Sequence, residues 1–385
     1  MEFSERVLSM SPSGTLKLVE LANQLKLKGH RIISFAVGEP DFTTPQTVIE
    51  AAYEAAKNGK THYTPPLGIR ELREKIAEKY QRENHVNVSA ENVMITPAKM
   101  AIFMAVAGFV DPGDEVLIPD PGWVSYKEMV HFARGKPVGY RLDEEKDYSL
   151  DIDDLLGKIN SKTKMIIINS PSNPTGTVFS QDDIKALRDI VLDYNLVLVS
   201  DEIYEKIIYE GEHISPGIYE ELLGNLIIVN GFSKSHAMTG WRIGYLIVPK
   251  DIINQLSKIQ QHTVSCAPSI AQYAVLRALE DKESVKRMVE EFARRREFVY
   301  NSLREIDGLD VMKPRGTFYV FPRYKYPIPS GELAEKILME KHIALTPGSA
   351  FGKYGEYHFR LSFASSMENL EEGISRLRNF FSSLS

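Results

Sequence analysis

Between about residue 46 and residue 285 the chain alternates short β-branched runs with amphipathic stretches, and this alternation constrains the fold more than any other feature. Strands that read as near-continuous apolar runs must be buried on both faces, which calls for a mostly parallel sheet covered by helices, an α/β architecture. The pattern predicts strands at Val93 to Ile95, Glu115 to Ile118, Met165 to Asn169, Leu196 to Val199, Leu226 to Val229 and Tyr245 to Val248. Ser180, with Asp183 three residues later, predicts a capped start for a helix running through Leu192. The apolar run Met100 to Val110 is shorter than the roughly 18 residues of a membrane span and is expected as a buried helix.

Past about residue 286 the texture changes to long charged helices, such as Lys286 to Leu303, and short strands around Phe318 to Phe321 and Phe359 to Phe363. An amphipathic helix near Leu16 to Lys28 and the apolar run Ile32 to Val37 are expected to join that later part rather than the central sheet. Three segments result: 1–45 as the N-terminal piece of a small α+β domain, 46–285 as a large domain, and 286–385 as the rest of the small one.

With 385 residues, 43% of them hydrophobic, the chain can bury a sizeable core. Its 46 basic and 52 acidic residues give a net charge of -6, which offers no general attraction to nucleic acid or an anionic membrane. The single cysteine, Cys266, excludes an internal disulfide and any multi-cysteine metal site. Glu2, Glu5 and Arg6 interrupt any apolar signal core, so a cytoplasmic location is expected. No HExxH, Walker A, GxGxxG or CxxC pattern supports a metallohydrolase, a nucleotide hydrolase or a Rossmann dehydrogenase, and no metal is expected.

In open parallel sheets ligands bind beyond the carboxyl ends of the strands, and the residues there are chemically informative. Lys234 follows the strand ending near Val229, with Arg242 eight residues further on. An aldehyde cofactor needs a deprotonated amine, and a buried cationic neighbourhood favours that form of a lysine. Asp201, after another strand, is the candidate carboxylate opposite a protonated pyridine nitrogen, while Tyr204 and Asn173 can donate to a ring oxygen. A phosphate would find backbone N–H groups where Ala98 and Lys99 open a helix, with Arg242, Ser233 and Tyr63 adding a guanidinium and two hydroxyls. Trp123 can stack on a ring. Each residue alone reads more simply as a surface lysine, a turn carboxylate or a core aromatic; the set argues for a site.

The run SKSHAMTGWRIGY from Ser233 to Tyr245 resembles the lysine motif of class I pyridoxal-phosphate aminotransferases. VGEPDF at Val37, HYTPPLGIRELR at His62, NSPSNPTG at Asn169, SDEIYE at Ser200 and RLSFA at Arg360 extend the likeness over nearly the whole chain, most closely to the bacterial and archaeal aspartate aminotransferase branch. The resemblance implies fold type I, with the large domain binding pyridoxal 5'-phosphate. It implies Lys234 as Schiff-base anchor and proton shuttle, Asp201 on the pyridine nitrogen, Tyr204 and Asn173 on the phenolate oxygen, Trp123 on the ring face and Arg242 with Ser233 at the phosphate. Arg360 would take the substrate α-carboxylate, assisted by Gly38 and Asn173. A homodimer is implied, with Tyr63 serving the neighbouring subunit's phosphate, as is closure of the small domain over substrate.

Two departures from the family pattern stand out. The turn Thr96-Pro97-Ala98-Lys99 is shorter than the Gly/Ser-rich phosphate turn of many relatives, and Gly122 replaces a bulkier residue before Trp123, which suggests a wider pocket or a looser wall. For a dicarboxylic substrate Lys99 is the candidate second cation, helped by the Thr15 hydroxyl. The expected reaction is amino transfer from an L-amino acid, aspartate first, to 2-oxoglutarate through a ping-pong cycle. An aromatic or alanine-type aminotransferase, a β-lyase and a non-catalytic cofactor-binding regulator are the rival readings. His62, His236 and His358 are read as structural.

Overall fold

A computed structural model of the protein describes residues 2–10 and 16–384. Eight strands form the central sheet: β1 (Val93–Ile95), β2 (Glu115–Asp120), β3 (Lys136–Asp143), β4 (Ser149–Leu150), β5 (Thr163–Asn169), β6 (Val197–Asp201), β7 (Leu226–Gly231) and β8 (Gly244–Ile247). They lie in the order β1-β8-β7-β6-β5-β2-β3-β4. From β7 to β3 all neighbours are parallel. β8 runs against both of its neighbours, which returns β1 to the direction of β7.

The side chains of β5 explain why such a sheet must be covered twice. Met165 and Ile167 enter a core with Ile102 and Ala105 of the helix Ala98–Phe109, whereas Ile166 and Ile168 enter one with Leu187 and Val191 of the helix Gln181–Asp193. Alternate residues of a strand face opposite ways, so an unbroken apolar run serves two cores at once. The second helix begins with reciprocal bonds: the Ser180 Oγ accepts from the Asp183 N–H at 3.2 Å and the Asp183 Oδ2 from the Ser180 N–H at 2.8 Å.

The sequence pattern does not announce β3 or β4. β3 reads KPVGYRLD, with Pro137 and Gly139 breaking any apolar run. The interruption is tolerated because β4 pairs only with Leu142 and Asp143, leaving the rest of β3 as an edge.

A further core lies beside this sheet, built from Phe292 and Val299 of the helix Lys282–Arg304, from Phe318, Phe359 and Phe381, and from Phe35 near the other end of the chain. The short strand Ile33–Ser34 pairs in parallel with Ile343–Ala344. Leu18, Ala22 and Leu25 of the helix Leu16–Leu27 pack on Ala334 and Leu338. Among the described residues no helix is long and apolar enough to cross a membrane.

Ile168 has no exposed surface, so Ile168→Ala should lower the unfolding free energy by about 3 kcal/mol. Ser180→Ala removes one helix cap and should lower it by about 1 kcal/mol. Urea denaturation of the two variants beside wild type measures both values and their order.

Candidate active site

Because the parallel strands point one way, their carboxyl ends deliver side chains to one edge of the sheet. β5 ends at Asn169, β6 at Asp201, and β7 at Gly231 just before Ser233 and Lys234; β1 leads into Ala98 and β2 into Trp123. Asn169, Asp201, Ser233, Lys234, Ala98 and Trp123 line a cleft of about 370 Å³. Asn173, Tyr204, Arg242, Arg360, Lys99 and Gly38 line it too, so most of the residues singled out in the sequence are brought together.

Lys234 sits in the loop between β7 and β8, and its Nζ donates to the Gly38 carbonyl at 2.5 Å. Burial pulls its pKa down to about 8, against the carboxylate of Glu39; the guanidiniums of Arg360 and Arg242 depress it further and Asp201 opposes them. The loop is tied to the N-terminal segment at three points. Thr239 Oγ1 donates to Glu39 Oε2 at 2.8 Å, Thr44 Oγ1 to the Ala237 carbonyl at 2.8 Å, and Trp241 Nε1 to Thr44 Oγ1 at 2.9 Å. Ala237 and Arg242 both hold left-handed backbone, with φ of 50° and 55°, so these ties fix a turn that non-glycine residues seldom adopt.

Asp201 ends β6 opposite Asn169, whose Nδ2 donates to the Asp201 carbonyl at 2.9 Å. Burial raises its carboxyl to about 6, against the pull of the Tyr126 hydroxyl, which donates to Oδ2 at 2.7 Å. The Ile203 N–H reaches Oδ1 at 3.3 Å. Glu202, one residue on, faces away from the cleft, where the hydroxyls of Tyr80, Ser200 and Ser215 donate to it.

Arg360 comes from the strand Phe359–Ser362 and is only 7% exposed. Its Nη1 donates to Asn173 Oδ1 at 2.9 Å and its Nη2 to the Ala36 carbonyl at 2.7 Å. Its Nε is buried without a hydrogen-bond partner. Among the described residues, then, the guanidinium meets neutral acceptors only. A buried cation in that condition is a receptor for an incoming carboxylate. The Tyr319 ring lies beneath it, 4.4 Å from centroid to Cζ, and the Tyr319 hydroxyl is 2.9 Å from that of Tyr204. Gly38 completes this wall: a Cβ there would come within 2.6 Å of the Tyr319 oxygen.

At the other end, the helix Ala98–Phe109 turns its N-terminus to the cleft beside Ser233 and Arg242. The short turn before it rests on β8, the Thr96 N–H donating to the Gly244 carbonyl at 3.0 Å. Free N–H groups, a guanidinium and a hydroxyl make a suitable phosphate cradle. With the desolvated amine of Lys234 and the carboxylate of Asp201 in the same cleft, the donor set fits pyridoxal phosphate. Lys99 stands over the Trp123 ring, 4.8 Å from its centroid, with its pKa lowered by burial and then by Arg242.

One expectation needs correction and one lies out of reach. Gly122 does not widen the cleft: a Cβ there would lie 2.2 Å from the Pro119 carbonyl oxygen, so the missing side chain would point at the chain itself. Tyr63, expected to serve a neighbouring subunit, is 88% exposed outside this cleft, on a loop fixed from beneath by Gln272, which donates to Thr64 Oγ1 at 2.8 Å and accepts from the Ile69 N–H at 2.8 Å. Thr15 lies outside the described residues. His236 is held at about 4 by burial and bridges Ser235 and the Ala278 carbonyl, whereas His358 stacks on Phe321; neither lines the cleft.

Tyr126 and Tyr319 escape the sequence reading because a buried tyrosine looks like any core aromatic. A signal exists for Tyr126: it follows Trp123 by three residues at a helix start, a spacing that turns both to one face.

A family model described as aminotransferase class I and II matches residues 30–377. The chain is 42% identical over 384 residues to an aspartate aminotransferase of Pyrococcus abyssi, covering 98% of this chain and 97% of that one. It is 39% identical to aromatic-amino-acid aminotransferase 2 of Thermococcus litoralis, covering 98% and 97%. The solved structure of Thermus thermophilus aspartate aminotransferase with maleate superposes with a TM-score of 0.93 at 39% identity, covering 98% of this chain and 99% of that one.

In cofactor-free protein, Lys234 should react with formaldehyde and cyanoborohydride with a midpoint near pH 8, because the ammonium that dominates below that pH is not nucleophilic. Peptide mass spectrometry across a pH series reads that midpoint.

Proposed function

Because the chain belongs to the class I and II aminotransferases, a pyridoxal-phosphate-dependent fold type I family, we propose that it moves the amino group of an L-amino acid, aspartate foremost, to 2-oxoglutarate. The observation that carries this reading is the desolvated Lys234 amine sharing one cleft with the carboxylate-free Arg360.

When bound, pyridoxal phosphate supplies an aldehyde that condenses with amines and a protonated ring that accepts the electron pair left on the α-carbon. Lys234 would hold the cofactor through its aldehyde, and its amine would carry the proton taken from the α-carbon. Asp201 keeps a proton on the ring nitrogen. Arg360 grips the α-carboxylate through two parallel hydrogen bonds, with Asn173 and Gly38 beside it, and so fixes which α-carbon bond is weakened. Tyr204 and Asn173 serve the ring oxygen, Trp123 covers a ring face, and Ser233, Arg242 and the N–H groups at Ala98 and Lys99 take the phosphate.

Lys99, standing over Trp123, is the second cation for a distal carboxylate, with Thr15 as its helper. The Thermus thermophilus enzyme with maleate, a dicarboxylate, supports an aspartate preference; the Thermococcus litoralis relative keeps an aromatic donor as the second reading. The exposed Tyr63 on its fixed loop suits a homodimer in which it reaches the neighbouring phosphate site. We propose in addition that segments 1–45 and 286–385 form a small domain that closes on the large domain over 46–285, in a cytoplasmic enzyme with no nucleic-acid or membrane partner.

Purified protein reconstituted with cofactor should show a visible band that aspartate bleaches faster than alanine or phenylalanine, and that 2-oxoglutarate restores. Faster bleaching by another donor would discard aspartate, release of pyruvate and ammonia from a β-substituted amino acid would favour a lyase, and a band no amino acid bleaches would leave a non-catalytic binder. Lys234→Ala should abolish band and turnover alike. Lys99→Ala should raise KM for aspartate roughly 30-fold, the equivalent of about 2 kcal/mol for one charged hydrogen bond, while sparing alanine; steady-state kinetics with both donors decides this.

A further inference from the structure

The Asp201 carboxylate has one strong side-chain partner, and it comes from a residue so far given no part in the reaction. Tyr126, on the helix Val124–Phe132, is fully buried and donates its hydroxyl to Asp201 Oδ2 at 2.7 Å. Its ring meets Trp123 edge-on, at 5.2 Å and 83°, so the indole assigned to the cofactor face packs directly on the group that touches Asp201.

We propose that the Tyr126 hydroxyl sets the charge and aim of the Asp201 carboxylate, and through it the protonation of the cofactor's ring nitrogen, which makes Tyr126 a positioning residue for amino transfer. The inference rests on the assignment of Asp201 to the ring nitrogen. Among the described residues Asp201 has no ion-pair partner within the cleft wall, and its other oxygen receives only the longer bond from the Ile203 N–H. The charged and titratable groups that act on it are Lys234 across the cleft, Tyr126 and Tyr204, and the neighbouring Glu202, whose carboxylate turns the other way. Burial, and after it Glu202, favours the neutral acid; Tyr126 is the nearest group that opposes them. The Tyr126 phenol, raised well above its ordinary range by burial and by Asp201, stays a donor throughout the working pH range.

A carboxylate and a pyridine nitrogen share one proton. Removing the hydrogen bond that stabilises the carboxylate makes the oxygen the better base, and the proton moves from nitrogen to oxygen with nothing gained or lost by the pair. The ring then withdraws electrons less strongly, so the nitrogen joining Lys234 to the cofactor becomes more basic and the α-proton is harder to remove. Arg360 is untouched, so amino-acid binding is unchanged.

The test uses holoenzyme carrying ring-¹⁵N-labelled pyridoxal phosphate. In Tyr126→Phe the ¹⁵N signal should shift toward the unprotonated position and the pH midpoint of the visible band should rise by about half to one unit. The turnover number kcat should fall roughly tenfold while KM for the amino acid changes less than about twofold. 3-Fluorotyrosine introduced at position 126, a more acidic donor of nearly the same shape, should move the ¹⁵N signal and the midpoint the opposite way, and it carries the test alone if the phenylalanine variant does not fold. A ¹⁵N signal and midpoint unchanged by either replacement, whatever the rate, would overturn the proposal while leaving Asp201 on the nitrogen. Wild-type enzyme whose ring nitrogen is unprotonated would instead strike at the reading of Asp201 itself.

Discussion

A lysine ammonium placed among two guanidiniums and largely stripped of water gives up its proton readily, and the organisation of the cleft depends on this desolvation of Lys234. An exposed lysine at the same point of the chain would be charged and inert toward an aldehyde at neutral pH. The local charges are weighed rather than merely crowded: Arg360 and Arg242 push the amine toward neutrality, while Glu39 and Asp201 keep it from being driven further. The carbonyl of Gly38 then gives the amine a fixed direction.

That arrangement requires pieces of chain that no local interaction would bring together. The sheet supplies Asn169, Asp201 and the Lys234 loop at adjacent strand ends, an automatic result of parallel pairing. It does not supply Gly38 or Arg360. Those arrive on an N-terminal strap and a strand from the far end of the chain, joined by the bond from Arg360 to the Ala36 carbonyl. The same strap fastens to the lysine loop through Glu39 and Thr44, so one segment controls the carboxylate receptor and the amine together.

The sheet and the main reactive groups were legible in the sequence because both rest on strong, local signals. Unbroken apolar runs mark the inner strands, and a lysine, an aspartate and an asparagine directly after such runs fall where the strand ends converge. The edge strand Lys136–Asp143 was not legible, since a strand paired along little of one side need not be apolar. Gly122 misled for a related reason: whether a missing side chain enlarges a cavity depends on where its Cβ would point, which only the fold decides. Tyr126 and Tyr319 were hidden by their own burial. Their hydroxyls matter through partners 75 and 115 positions away in the chain, and apart from the spacing of Tyr126 from Trp123 nothing near them in sequence distinguishes them from filler.

The pairing of Ile33–Ser34 with Ile343–Ala344 has a consequence for how the molecule is made. Phe35 is sealed against Gly373, where even a methyl group would collide with its ring. During synthesis these early residues therefore leave the ribosome with an apolar face whose cover does not yet exist, and they must wait while the whole central sheet, complete by Ile247, is assembled. The carboxylate receptor forms only late in synthesis, across 324 positions of chain. A polypeptide halted before residue 343 contains every strand of the central sheet, with Lys234 and Asp201, yet it has neither Arg360 nor an edge for the strap, and the apolar face of the strap is left without its cover.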